Sequence, residues 1–443
     1  MSTNEPRLPG WSEALAPAVE ELQSSDALHA SIGEVGGRGA VFLRWDFGRQ
    51  GGTFGIAEAG VFESAVRTAI GRALPLVTIT RSGGTRLPEG MRALVGIPRA
   101  VLALAELRAA GLPHLSIADN PTTGGVWVAI GTQADLRLAI RGATVGFSGP
   151  RVVPLMTGRE LIAGGNTAEA AYDAGLVDAI GDHHEAGTWL ATALTTLGRD
   201  DPEPVEAPAE TIPPRMDAAE LFEATRRVAR PSGSDLIDCV LTDRIELRSS
   251  DETTRATLGR IAGRPALAVA LSAQRGGMPT PAGFGLLSRA ARLAGALDIS
   301  LVTLIDTPGA DPHTEADGLS AAIAAAMTEV LVTSAPTVAL LHGEGGSGGA
   351  LAAATTDVIG VGPHGWFGAL GPDGAAAALR TTPGDAARLM RITPYELVED
   401  GVATAFVAKG DETSWLATTI DGLKRVPSEQ RLSVRRTRWS NPL

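Results

Sequence analysis

The 443-residue chain has one cysteine, Cys239, so it contains neither a disulfide framework nor a four-cysteine zinc site. A lone thiol of this kind reads as a small buried core residue in a reducing compartment. Aromatic residues make up only 4% of the chain, too few for stacking platforms, and the charge balance of 38 − 50 = −12 includes no basic run. Nucleic acid is thereby excluded as a partner. No uninterrupted apolar stretch approaches the ~18 residues of a membrane helix, and Met1–Gly10 has neither the basic start nor the apolar centre of a signal peptide. A cytoplasmic protein with no membrane contact is expected. His183, His184 and His342 have no metal-ligand spacing around them and read as surface or packing residues, so no metal is expected.

What the chain does have is glycine, gathered where apolar runs end. The length suggests two domains of about 200 residues each. In the first half, a helix at about Trp11–Leu22 and a strand at Ala40–Phe47 precede a helix at Glu58–Arg72. The buried-strand run Leu76–Thr80 then enters the loop Arg81–Gly90. A helix over Met91–Ala110, a strand at His114–Ala118 and a second glycine loop, Asn120–Val126, follow. Five prolines and several acidic residues between Asp201 and Pro214 mark an extended connector. Domains are therefore expected at residues 1–197 and 216–443, with 198–215 as linker.

Beyond the linker the order recurs. Leu267–Leu271 reads as a strand, Pro281–Leu297 as a helix, and Leu301–Asp306 as a strand entering Thr307–Asp311. A helix at Leu319–Thr333 leads to the strand Thr337–Leu341, which runs into Gly343-Glu-Gly-Gly-Ser-Gly-Gly349 and the helix Ala350–Ala354. Each half thus offers two glycine loops in corresponding places, as an internal duplication would. Loops at the ends of successive strands can aim two backbone amides at one oxygen, and losing one such donor costs about 3 kcal/mol of transition-state stabilisation. The candidate amides are those of Gly84, Thr85, Gly124 and Gly125 in the first half, and of Gly309, Ala310, Gly348 and Gly349 in the second.

The runs Ser82–Gly90, Pro121–Val126 and Gly146–Val152 resemble the beta carboxyltransferase subunit of acetyl-CoA carboxylase. Gln274–Phe284, Asp306–Ala310, Gly343–Leu351 and Leu370–Gly374 resemble the alpha subunit. The likeness spans roughly residues 30–185 and 220–410 in the family's order. It implies two tandem crotonase-like α/β domains, each a spiral of repeated ββα units. It further implies transfer of CO2 from carboxybiotin to the α-carbon of an acyl-CoA such as acetyl-CoA. The first half would hold the CoA thioester as an enolate, and the second would hold biotin through Gly346, Ser347 and the nearby amides. The resemblance also implies a homodimer or larger even homo-oligomer, in which the first domain of one chain works with the second of another.

Neither Lys409 nor Lys424, the chain's only lysines, lies in a Met-Lys-Met turn, and no ATP-grasp pattern is present. A biotin carboxyl-carrier protein and a biotin carboxylase subunit are therefore the implied partners. The family's zinc ribbon is missing, Arg275 stands where lysine is usual, and the segment Asp311–Gly318 is short. These departures keep two alternatives open: a biotin-independent decarboxylase of malonyl-type thioesters and a non-catalytic homologue. Arg81, Arg86 and Arg92 could meet CoA phosphates or fix their loop. Glu89 and Glu344 could serve as bases or hydrogen-bond loop amides, and Tyr172 and Trp366 read as packing residues.

Overall fold

Aliphatic and β-branched runs become the strands of two sheets, one in each of two compact units, Met1–Gly198 and Arg199–Leu443. The computed structural model describes residues 18–150, 152–159, 164–198, 200–202, 204–227, 229–272 and 276–440. The first sheet comprises β1 (Glu20–Ser24), β2 (Leu28–Val35), β3 (Arg38–Trp45), β4 (Leu76–Ser82), β5 (His114–Thr123), β6 (Leu136–Ile140), β7 (Val145–Gly146) and β8 (Ala179–Gly181). The second comprises β9 (Thr242–Leu247), β10 (Thr254–Ile261), β11 (Arg264–Leu271), β12 (Ser300–Thr307), β13 (Thr337–Gly345), β14 (Val358–Val361) and β15 (Ala405–Phe406).

The spatial order is β1-β2-β3-β4-β5-β6-β8 in one sheet, with β7 on β5, and β9-β10-β11-β12-β13-β14-β15 in the other. In each, the first three strands pair antiparallel and the rest parallel. Parallel strands need crossovers, and helices supply them. In the first unit α1 (Ile56–Arg72) joins β3 to β4 and α2 (Gly96–Ala109) joins β4 to β5, while α3 (His183–Thr196) follows β8. In the second unit α4 (Gly233–Val240) precedes the sheet, α5 (Pro281–Leu297) joins β11 to β12, and α6 (Leu319–Val332) joins β12 to β13. Next come α7 (Ser347–Ala354), α8 (Glu412–Lys424) and α9 (Ser428–Ser440). Helices on the sheet faces explain why β12 is buried along its whole length.

The two sheets share an irregularity. Between Thr80↔Ala118 and Ser82↔Thr122, β4 advances two residues while β5 advances four. Between Ile305↔Leu341 and Thr307↔Gly345, β12 and β13 do the same. Two extra residues therefore stand just before the second glycine loop in each unit, Ser82 matches Thr307, and Thr122 matches Gly345.

Several expectations need correcting. Glu20–Ser24 is a strand where a helix was expected to end, and residues 11–17 lie outside the described set. The helix over Met91–Ala110 is interrupted between Leu94 and Gly96. The second glycine loop begins later than expected, because β5 runs on to Thr123. Cys239 is exposed, since Leu236, Ile237 and Val240 claim the inner face of α4. The proline-rich connector lies along the second unit: Val205 packs on its core, and Arg215 donates to the Tyr395 hydroxyl at 2.5 Å.

Candidate functional site: two pairs of glycine loops

In the first unit the Ser82 hydroxyl accepts from the Gly84 amide at 3.0 Å and turns the chain at the end of β4. Gly84 then takes φ +105°, a region that strains any residue with a Cβ. Phe54 donates to the Gly84 carbonyl at 2.8 Å and accepts from the Arg86 amide at 2.9 Å, bridging parallel to Thr85. That pattern uses the groups on either side of Thr85 and turns the Thr85 N–H away from Phe54.

The second loop meets the first there. Gly124, at φ +63°, opens the helical turn Gly124–Val126, and a Cβ added to it would lie 3.0 Å from the Gly84 Cα. A Cβ on Gly125 would lie 3.0 Å from the Thr85 hydroxyl and 2.7 Å from Ile97 Cδ1. Gly84, Thr85, Gly124 and Gly125 are thus brought together, with close backbone approach as the reason for glycine.

The second unit repeats the geometry. Thr307 Oγ1 accepts from the Gly309 amide at 3.2 Å, and Gly309 takes φ +149°. Gly346 donates to the Thr307 carbonyl at 2.9 Å, and its added Cβ would lie 1.9 Å from the Pro308 carbonyl oxygen. A Cβ on Gly349 would lie 2.8 Å from the Ala310 amide nitrogen, whereas one on Gly348 meets open space. By the shared register, Gly124-Gly125 correspond to Ser347-Gly348, so Gly348 is the counterpart of Gly125, and Gly349 is the residue packed against Ala310. Ser347 holds φ +59°, nearly the angle of Gly124, although it is not glycine.

The side chains around the loops are largely engaged. Arg86 is buried: it contacts Glu58 at 2.9 Å and Glu89 at 3.3 Å, and donates to the Thr53 hydroxyl at 3.1 Å and carbonyl at 2.6 Å. That guanidinium fixes the loop and is not open to a phosphate. Arg81 donates to the Asn120 carbonyl at 2.7 Å, tying one loop to the other, and Arg92 is exposed. Glu89 accepts from the Ile56 amide at 2.7 Å, and Glu344 pairs with Arg226 at 3.1 Å. Both carboxylates are engaged, Glu89 by the Ile56 amide and Arg86, and Glu344 by Arg226, rather than by the loop amides expected of them.

Three features were not anticipated. Asp306, just before Thr307, is buried in a two-pronged pair with Arg230 (2.5 and 2.6 Å) and accepts the Glu344 amide at 2.9 Å. A carboxylate ending an apolar strand signals a buried partner, but nothing in the sequence singles out an arginine 76 residues away. Asp119 meets His183 at 3.2 Å. His342 lies in the two-residue insertion of β13, where burial lowers its imidazole to about 4. Arg275 lies outside the described residues. Among the described residues, no cluster of three or more His, Cys, Asp or Glu could hold a metal, and no helix is long and apolar enough to cross a membrane.

The family described as acetyl co-enzyme A carboxylase carboxyltransferase-like matches residues 203–414. The acetyl-coenzyme A carboxylase carboxyl transferase subunits beta/alpha of Salinispora tropica is 35% identical over 86% of this chain and 73% of its own. The probable biotin-dependent acyl-coenzyme A carboxylase beta3 subunit of Mycobacterium tuberculosis is 31% identical over 97% of this chain and 92% of its own. Among solved structures, transcarboxylase 12S with hydrolysed methylmalonyl-coenzyme A bound superposes with a TM-score of 0.79, covering 93% of this chain and 88% of the other at 19% identity. A single-chain, multi-domain long-chain acyl-CoA carboxylase gives 0.74, covering 92% of this chain and 45% of the other at 18% identity. With its two matching α/β units and their paired loops, the chain belongs to the acetyl-CoA carboxylase carboxyltransferase family, in the form that joins the beta and alpha parts in one chain.

Proposed function

We propose that the chain moves a carboxyl group from carboxybiotin on a separate carrier protein to the α-carbon of an acyl-CoA, acetyl-CoA or a close relative. The observation that carries this reading is the doubling of the loop pair. Two sites built from backbone in the same register suit a reaction in which two different oxygens become anionic. In the first unit the amides at Thr85 and Gly125 hold the thioester carbonyl oxygen as it gains enolate charge. Preorganised donors cost no reorganisation at that moment, and each is worth about 3 kcal/mol.

In the second unit the amides at Ala310 and Gly348 suit a small neutral acceptor that turns anionic, as a ureido oxygen does. Two acidic groups beside these loops, Asp306 and Glu344, are held by Arg230 and Arg226, and a third, Asp311, accepts the His313 amide. Carboxybiotin supplies the CO2 and, once that has left, a basic nitrogen. The protein's own residues bind, orient and stabilise, and Ser347 adds a hydroxyl beside the biotin site. Leu87, Met91, Phe147 and Leu155 are exposed apolar side chains of the first unit, in keeping with an even homo-oligomer. A biotin carboxylase subunit would recharge the carrier.

The test runs the reaction backwards. Purified chain with malonyl-CoA and free biotin or biotinylated carrier should yield carboxybiotin and acetyl-CoA. CO2 release at a catalytic rate from malonyl-CoA alone would favour a decarboxylase. If malonyl-, methylmalonyl- and longer alkylmalonyl-CoA thioesters all give no transfer to biotin, the reading fails.

A further inference from the structure

The second unit shows what a pair of glycine loops needs in order to fold, and the first unit carries one group more. With Ser82 matching Thr307, Gly84 matches Gly309 and Thr85 matches Ala310. The second unit builds its first loop with a methyl group at that position, so the loop geometry does not call for the Thr85 hydroxyl.

The neighbouring hydroxyls are engaged by the chain itself. Ser82 Oγ accepts the Gly84 amide at 3.0 Å, Thr122 donates to the Thr80 carbonyl at 2.7 Å, and Thr123 donates to the Ser82 carbonyl at 3.3 Å. Thr85 Oγ1 makes no hydrogen bond among the described residues, and it is open to solvent on a half-buried side chain.

That oxygen faces the other loop. A Cβ on Gly125 would lie 3.0 Å from Thr85 Oγ1 and 2.7 Å from Ile97 Cδ1, whereas one on Gly348, the counterpart of Gly125, meets open space. Thr85 and Ile97 therefore narrow the first pair of loops where the second pair is open. The hydroxyl sits on the residue that supplies one amide donor and against the residue that supplies the other.

An oxygen gaining enolate charge has lone pairs for more than two donors, and a hydroxyl bonded to it strengthens as the charge forms. Thr85 gives up no partner within the chain to make that bond, and its β-branch leaves little rotamer freedom to lose. We propose that the Thr85 hydroxyl is a third donor in the first unit, joining the Thr85 and Gly125 amides on the thioester carbonyl oxygen. The second unit carries its hydroxyl on the opposite loop, at Ser347, where the first has Gly124. The assignment rests on the reading that the first unit holds the acyl thioester, and it does not depend on where the carboxyl group goes.

The experiment compares Thr85→Val, which keeps the shape and removes the donor, with Thr85→Ser, which keeps the donor, in the full chain. In reverse transfer from malonyl-CoA to biotin, Thr85→Val should lower kcat by about tenfold or more while the Kd of malonyl-CoA changes by less than about threefold. Thr85→Ser should keep kcat within about threefold of the wild type, and both variants should keep its unfolding midpoint. Bound acetyl-CoA, isotopically labelled at the thioester carbonyl, should show its infrared band at lower wavenumber than the free ester in the wild type and Thr85→Ser, and nearer the free position in Thr85→Val. Wild-type kcat in Thr85→Val, an equal loss in Thr85→Ser, a loss confined to Kd, or an infrared band unmoved by Thr85→Val would overturn the assignment. A wild type that binds acetyl-CoA and transfers nothing would sink the carboxyl-transfer reading, and the infrared comparison would then decide the hydroxyl alone. A wild type that binds no acyl-CoA would overturn both.

Discussion

Behind the loop at the end of β4 stands Arg86, held by Glu58 and Glu89; behind the matching loop at the end of β12 stands Asp306, held by Arg230. At the register position of Asp306 the first unit has Arg81 instead, and at that of His342 it has Asp119. The two units share hydrogen bonds from a glycine amide to a strand-end hydroxyl, the two-residue insertion and a left-handed residue at the start of the second loop. They differ in nearly every side chain that props these up. A site whose donors are backbone amides fixes the chain path and leaves the supporting chemistry free to vary, provided each buried charge finds a partner.

The first prediction strikes the support where the units differ most. Arg230→Met leaves Asp306 buried without its partner and should cost about 3–5 kcal/mol in denaturant unfolding, and Arg230→Met with Asp306→Leu should recover much of that loss. Arg81→Met, at the register position of Asp306, should change stability by under about 1 kcal/mol, because Arg81 is only half-buried. Equal costs at both places would erase the contrast.

Next comes the shared backbone. Gly346→Ala drives a Cβ into the Pro308 carbonyl and displaces the second-unit loops, so carboxyl transfer to biotin should fall by about 10²- to 10³-fold while malonyl-CoA still binds. A parallel loss of malonyl-CoA binding would show that the units do not divide the substrates.

Acid should affect both units. Burial, with a smaller push from Arg108, holds His114 at about 3, and burial holds His342 at about 4, both below the unfolded value of 6.5. Below pH 6.5 the unfolded chain takes up protons that the folded chain refuses, so stability falls as pH drops toward 4, by on the order of 3 kcal/mol for each histidine. His342→Gln should flatten the pH 4–6.5 slope of the second unit's unfolding and leave that of the first unchanged.

The smallest effect concerns the left-handed residue. Ser347→Gly should raise stability by about 0.5 kcal/mol by relieving its positive φ, while transfer falls less than about tenfold. The reciprocal Gly124→Ser should cost about 1–2 kcal/mol. Stabilisation with wild-type transfer would mean that the serine hydroxyl does nothing for biotin.

Much of this arrangement is legible in the sequence, because glycine clusters after apolar runs carry their own physical reason. The helix Pro281–Leu297 and the strands entering both pairs of loops follow from periodicity alone. The one-residue offset between Gly348 and Gly349 does not, since it depends on the insertion in β13, and only pairing with β12 reveals that. Cys239 misled because composition speaks for burial while helix phase decides it. The Arg230–Asp306 pair brings together residues from distant parts of the chain, which no local pattern encodes.

The division of labour between the units is tested most directly by measuring the dissociation constant of malonyl-CoA for Gly125→Val and Gly349→Val side by side. Each side chain would crowd one loop pair, at Ile97 and Thr85 in the first unit and at the Ala310 amide in the second. This division predicts that Gly125→Val loses malonyl-CoA binding, while Gly349→Val keeps it and loses only transfer to biotin. Binding lost in Gly349→Val and retained in Gly125→Val would contradict it.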